Sequence, residues 1–164
     1  MFNIGDQVVY PPYGAGYILS IEEKRFIDKK EMYHVIELLC EDLSVFVPSK
    51  QLSSKNIRFA LGIQGMKNEL STINVKEYNL SVHPINKKVN YYEKILLTGS
   101  IKSTFGIMAA ILQKKRRERL NQTERELYTK FYNFLLSEII VTEKVNQQKA
   151  ETLLDKLLIE LLNQ

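Results

Sequence analysis

The sequence predicts an α+β protein in which a small N-terminal β-barrel precedes a compact all-helical domain. Three observations carry that reading. Short β-branched and aromatic runs punctuated by Pro and Gly fill residues 1–55, apolar residues at helical spacing fill the remainder, and the charge balance changes sharply between the two.

At 164 residues the chain can form one or two small folding units and is short for an enzyme with a large cleft. Its formal net charge is only +4 and its mean hydropathy −0.21, so the distribution of charge is more telling than the total. Residues 84–130 hold eleven Lys and Arg against four Asp and Glu, an excess of +7, whereas residues 1–55 and 131–164 each sum to −2 and residues 56–83 to +1. Such a block suits an anionic partner, above all nucleic acid. The single Cys40 has no internal disulfide partner, which fits a reducing cytoplasm, and no apolar run has the length of a signal segment or a membrane span.

Residues 6–10 begin the first strand. Pro11, Pro12, Gly14 and Gly16 then punctuate a turn before extended character resumes over 17–23. Further strands follow at 32–39 and 43–47, with a hairpin connection at 26–31, Glu41-Asp42 between the later pair and Pro48 as a stop. Four or five such strands bury a face only by curling or by leaning on another element. A small Tudor-like or SH3-like barrel is the economical solution. Residues 48–56 read as a cap or turn and 57–65 as a connector with flexible points at Gly62 and Gly65, which sets two modules, 1–55 and 56–164.

Beyond the connector, 68–77 reads as a short helix or irregular packing segment, with His83-Pro84 as a stop. A helix over 88–97 ends at Thr98-Gly99. The next, 100–119, places Ile101, Phe105, Met108, Ile111 and Leu112 on its apolar side and ends in Lys114, Lys115, Arg116, Arg117 and Arg119, where cations also suit the helix dipole. Asn121 and Glu124 have capping-box spacing and start a helix running through Tyr128, Phe131, Leu135 and Ile139. After a polar break at 146–149, Ala150, Leu153, Leu154, Leu157, Leu158, Leu161 and Leu162 make a last amphipathic helix, whose default neighbour is another helix of the same bundle.

Catalytic chemistry finds little footing. His34 and His83 form no metal-binding spacing with Cys40, Gly14 and Gly16 lack a phosphate-binding fingerprint, Glu41 and Asp42 read as solvated charges, and no serine sits in a nucleophile elbow. The expectation is a non-catalytic protein without cofactor or metal.

Four segments, Gly5-Asp6-Gln7-Val8-Val9-Tyr10-Pro11 with Gly14, Val45-Phe46-Val47-Pro48, Lys94-Ile95-Leu96-Leu97-Thr98-Gly99, and Lys149-Ala150-Glu151-Thr152-Leu153-Leu154-Asp155, carry a family likeness. Over essentially its whole length the chain resembles the CarD/CdnL family of bacterial transcription regulators. The opening also resembles the polymerase-interacting domain of transcription-repair coupling factors, but the helical continuation favours the stand-alone regulator. The resemblance implies that residues 1–55 bind the RNA polymerase β subunit and that 56–164 engage promoter DNA near the upstream edge of the bubble, modulating open-complex stability. It assigns polymerase contact to Lys24, Arg25, Phe26 and Phe46, and DNA contact to Ile85, Lys87, Lys88 and Arg125, with Lys114, Lys115, Arg116, Arg117 and Arg119 as an additional basic surface. Ile85 stands where family members carry tryptophan, a residue this chain lacks entirely. A cytoplasmic monomer, nucleoid-associated through the polymerase, completes the picture. Set against it is a protein-interaction adaptor whose positive block engages no DNA.

Overall fold

Alternating apolar and polar side chains in the first third of the chain produce five antiparallel strands: β1 (Gln7–Tyr10), β2 (Gly14–Phe26), β3 (Lys29–Leu38), β4 (Leu43–Pro48) and β5 (Arg58–Phe59). This computed structural model describes residues 2–26, 29–39, 43–78 and 89–163. The β2–β3 hairpin is longer than the sequence predicts, its pairing continuing to Phe26↔Lys29, with a bulge between Ile18 and Ser20.

The sheet is not the closed Tudor-like or SH3-like barrel expected from the sequence. Its order is β4-β3-β2-β1-β5, an open sheet with β4 and β5 as outer strands. Two features account for the difference. The last strand is only two residues long and is already paired with β1. The sheet also leans on a helix, which supplies the cover that a closed barrel takes from its own opposite wall. On one face Val8, Tyr10, Ile18, Ile36, Leu38 and Val47 pack beneath Leu52 and Ile57 from the β4–β5 connection. On the other, Val9 and Ala15 join the core of the helical unit.

Five helices follow among the described residues: α1 (Ile63–Leu70), α2 (Val89–Leu97), α3 (Ile101–Arg117), α4 (Gln122–Glu143) and α5 (Gln147–Leu162). Helix α1 lies partly where the sequence reads as a connector. Its buried Met66 and Leu70 are spaced one turn apart, and the Ile63 N–H donates to the Glu143 carboxylate at 3.0 Å. That cap comes from the far end of α4, so local pattern carries no trace of it. The His83-Pro84 stop lies outside the described residues.

The remaining helix ends follow local chemistry. Gly99 adopts φ +67° after α2, and the Ser100 hydroxyl accepts from the Ser103 N–H at the start of α3. Helix α4 opens with a full capping box, Glu124 N–H to Asn121 Oδ1 at 2.9 Å and Asn121 N–H to Glu124 Oε2 at 3.0 Å. The stretch that reads as a polar break before α5 is its cap, Asn146 accepting from the Lys149 N–H.

Helix α4 is the common support. Its Ser137 hydroxyl accepts from the Ala15 N–H at 2.9 Å and donates to the Phe134 carbonyl, while the Val141 carbonyl accepts from Gln7 Nε2 at 2.8 Å and the Tyr17 hydroxyl at 3.1 Å. Gly14 permits this close approach: a Cβ there, where φ is +107°, would lie 2.6 Å from Ser137 Oγ, while a Cβ on Gly16 would lie 1.8 Å from the Glu37 carbonyl oxygen of the neighbouring strand β3. Among the described residues no helix is long and apolar enough to cross a membrane.

Candidate functional site

On β4, Val45 and Val47 turn toward the sheet core, so strand alternation sends Phe46 to the other face, where it is 45% exposed. The Lys24 ammonium sits 3.4 Å from the centroid of its ring, a cation–π contact between β2 and β4. Arg25 faces the opposite side from Lys24 by the same alternation and pairs across the hairpin with Lys30. The structure therefore brings together Lys24 and Phe46 from the predicted polymerase-contacting set and separates Arg25 from them. The Phe26 side chain lies outside the described residues.

At the helical end the basic run divides by role. Lys114 Nζ lies 2.6 Å from Glu124 Oε1 and 3.7 Å from Glu118 Oε1. The Glu124 hydrogen bond is the main cause holding the Lys114 ammonium above its ordinary pKa, against an opposing effect of burial. Lys114 thus ties the end of α3 to the cap of α4 and is not a free contact. Lys115, Arg116, Arg117 and Arg119 have no carboxylate partner among the described residues. The Arg125 guanidinium donates to the Leu120 carbonyl and so fixes the α3–α4 turn. Lys115, Arg119 and Arg125 converge with Glu118, Tyr128 and Thr129 on a groove of about 450 Å³, where Glu118 lies 3.7 Å from Lys114. Three cations against one carboxylate leave the groove net positive, which suits phosphate oxygens. Ile85, Lys87 and Lys88 lie outside the described residues.

Sequence reasoning missed the buried pair Arg58 and Glu138. Both guanidinium Nη atoms donate to the Glu138 carboxylate, at 2.7 and 2.8 Å, and Arg58 Nε donates to the Gly99 carbonyl at 2.8 Å. The Leu61 N–H also donates to Glu138 Oε1 at 2.7 Å. The available signal is an acid inside the apolar stripe of α4, three residues after Leu135 and next to Ile139.

His34 has a structural role. His34 is buried, with Nδ1 2.9 Å from Ser49 Oγ and Nε2 3.4 Å from the Phe2 carbonyl. A carbonyl can only accept, so Nε2 donates to Phe2, and the Ser49 hydroxyl, which can donate or accept, satisfies Nδ1. Among the described residues no group of three His, Cys, Asp or Glu side chains is placed to hold a metal ion.

These parts lie along α4. The cationic groove is at its N-terminal end, at Arg125, and the sheet is held at Ser137, about 18 Å further along at 1.5 Å per residue. The same division appears in the comparisons with known proteins. Residues 2–60 match the CarD-like/TRCF RID domain and residues 70–155 match the CarD C-terminal domain. The chain is also 29% identical over 152 residues to the "Putative transcription factor YdeB" of Bacillus subtilis (strain 168), spanning 93% of this chain and 99% of that protein. An open sheet and a helical unit, each matched in its own part of the chain, leave one assignment: the protein belongs to the CarD family, whose domains are non-catalytic and associated with transcription.

Proposed function

We propose that this protein is a transcription regulator that binds the β subunit of bacterial RNA polymerase through its sheet and engages promoter DNA through its helical unit. The carrying observation is α4, a single helix that holds the sheet at one end and the Lys115, Arg119 and Arg125 groove at the other. On the sheet, the exposed Phe46 and its stacked Lys24 supply an aromatic and cationic contact, and β4, the outer strand that carries Phe46, can accept a further strand from the partner. The two modules, residues 1–55 and 56–164, act together in this reading on one monomer, in the cytoplasm and at the nucleoid.

Polymerase binding raises the local concentration of the cationic groove near promoter DNA, so weak intrinsic affinity suffices. Lys87 and Lys88 add phosphate contacts, and Ile85 provides an apolar wedge without the stacking surface or N–H of an indole. Opening is favoured to the extent that the helical unit binds the open junction more tightly than closed duplex. Equal affinity for both would shift nothing.

The test is the lifetime of the open complex formed by purified bacterial RNA polymerase on a promoter fragment, with the full chain and two variants. The wild-type chain changes the lifetime. Phe46→Ala loses both polymerase retention and the effect, while Lys87→Ala/Lys88→Ala keeps retention and loses the effect. Full polymerase retention with an unaltered lifetime for the wild-type chain would reject the DNA-coupled mechanism in favour of an adaptor.

A further inference from the structure

A second groove, of about 430 Å³, opens between α3, α4 and α5. Exposed Ile159, half-buried Leu112 and Leu162 and the buried Leu158 line it, with exposed Lys115 and Arg116 at its rim. Ile159 is 56% exposed and has Leu112 and Leu162 beside it in the lining. The one carboxylate in the lining, Asp155, already accepts a hydrogen bond from the Tyr132 hydroxyl at 3.2 Å. The rim cations have no carboxylate partner among the described residues.

Cations beside the exposed Ile159 and the half-buried Leu112 and Leu162 complement an amphipathic helix whose apolar residues recur every three or four positions and whose flanks are Asp and Glu. Nucleic acid accounts for the cations but not for this apolar lining, because phosphates gain nothing from Leu112, Ile159 and Leu162. We propose that the α3–α4–α5 groove docks an acidic amphipathic helix of another protein. This surface adds a partner to those above; because Lys115 also lines the cationic groove, the variants that test it are placed at Ile159 and Arg116.

The experiment is fluorescence anisotropy with the full chain and a labelled synthetic peptide carrying Leu at helix-face spacing and Glu elsewhere, beside a scrambled peptide of identical composition. The expected result is saturable, salt-sensitive binding that is about tenfold weaker for the scrambled peptide and for Ile159→Asp or Arg116→Glu. Both positions are exposed, and thermal melting confirms that the variants fold. Absence of binding, equal affinity for the two peptides, or wild-type affinity in both variants overturns the proposal. Displacement of the peptide by duplex DNA assigns the groove to nucleic acid, and a concentration-dependent dimer that excludes the peptide assigns it to a second copy. Either result also overturns the proposal.

Discussion

Arg58 grips Glu138 through two parallel hydrogen bonds of 2.7 and 2.8 Å, joining the last strand of the sheet to the C-terminal part of α4. The Glu138 side chain is fully buried and that of Arg58 is 25% exposed. A planar guanidinium suits this position because its fork matches the carboxylate while Nε reaches the Gly99 carbonyl between α2 and α3. One side chain therefore holds β5, the α2–α3 turn and α4 together. With Val9 and Ala15 already in the helical core, the sheet and helices form one body, and the spacing between their faces is set before any partner arrives.

Removing one member of that pair is expected to be costly. Arg58→Met leaves a buried carboxylate without its counter-charge and should lower stability by about 3–5 kcal/mol in urea unfolding. Arg58→Met/Glu138→Leu should recover part of this, because no charge then remains buried. Recovery stays incomplete, since the Leu61 N–H loses its acceptor and an unsatisfied buried donor costs about 1–3 kcal/mol. A double variant as unstable as the single one would refute this account.

Phe46 should behave in the opposite way. It is half exposed, and its described partner is the Lys24 ammonium over its ring, a contact worth about 0.5–1 kcal/mol at such a site. Phe46→Ala is expected to change unfolding stability by no more than about 1 kcal/mol while abolishing retention on immobilised polymerase β subunit. Stability loss without loss of retention would make Phe46 a packing residue only.

Legibility in the sequence follows the range of the interactions. Whereas the Asn146 cap reads only as a polar break, the capping box at Asn121 and the close of α2 at Gly99 depend on residues a few positions apart and are readable. The open sheet is not, because whether strands curl shut depends on what covers them, and α4 lies more than a hundred residues from β1. The start of α1 escapes for the same reason, its cap being Glu143. In the basic run, composition cannot tell Lys114, which is committed to Glu124, from Lys115 or Arg119, which face open grooves.

The Lys114 contact has a pH signature. Its folded-state pKa is raised above the ordinary 10.5, chiefly by the Glu124 hydrogen bond, so the charged form is favoured more in the folded than in the unfolded chain. That stabilisation is fully present below pH 10.5 and is lost as pH rises through the higher folded value. The melting temperature of the wild type should exceed that of Lys114→Gln at neutral pH, and the gap should close in the alkaline range. A gap that persists after Lys114 deprotonates would point to packing of its aliphatic stem.

Arg119 offers a test of the cationic groove that spares the fold, because it is exposed and follows the end of α3. In binding to promoter duplex, Arg119→Ala should weaken affinity similarly across sequences and reduce the slope of log K against log salt by about 1. An unchanged slope would place Arg119 in solvent and leave phosphate contact to other cations.

Ile85 gives the prediction that separates wedge from tether. Phosphate contacts recruit the helical unit to closed and open DNA alike, whereas a side chain at the bubble edge acts only once the strands part. Isoleucine fills space there but can neither stack broadly on a base nor donate a hydrogen bond, and tryptophan does both. Ile85→Trp should therefore lengthen open-complex lifetime several-fold on the same promoter while leaving polymerase retention and duplex affinity near wild type. A gain in duplex affinity with no change in lifetime would mean that the residue meets closed DNA, and the wedge role would have to be abandoned.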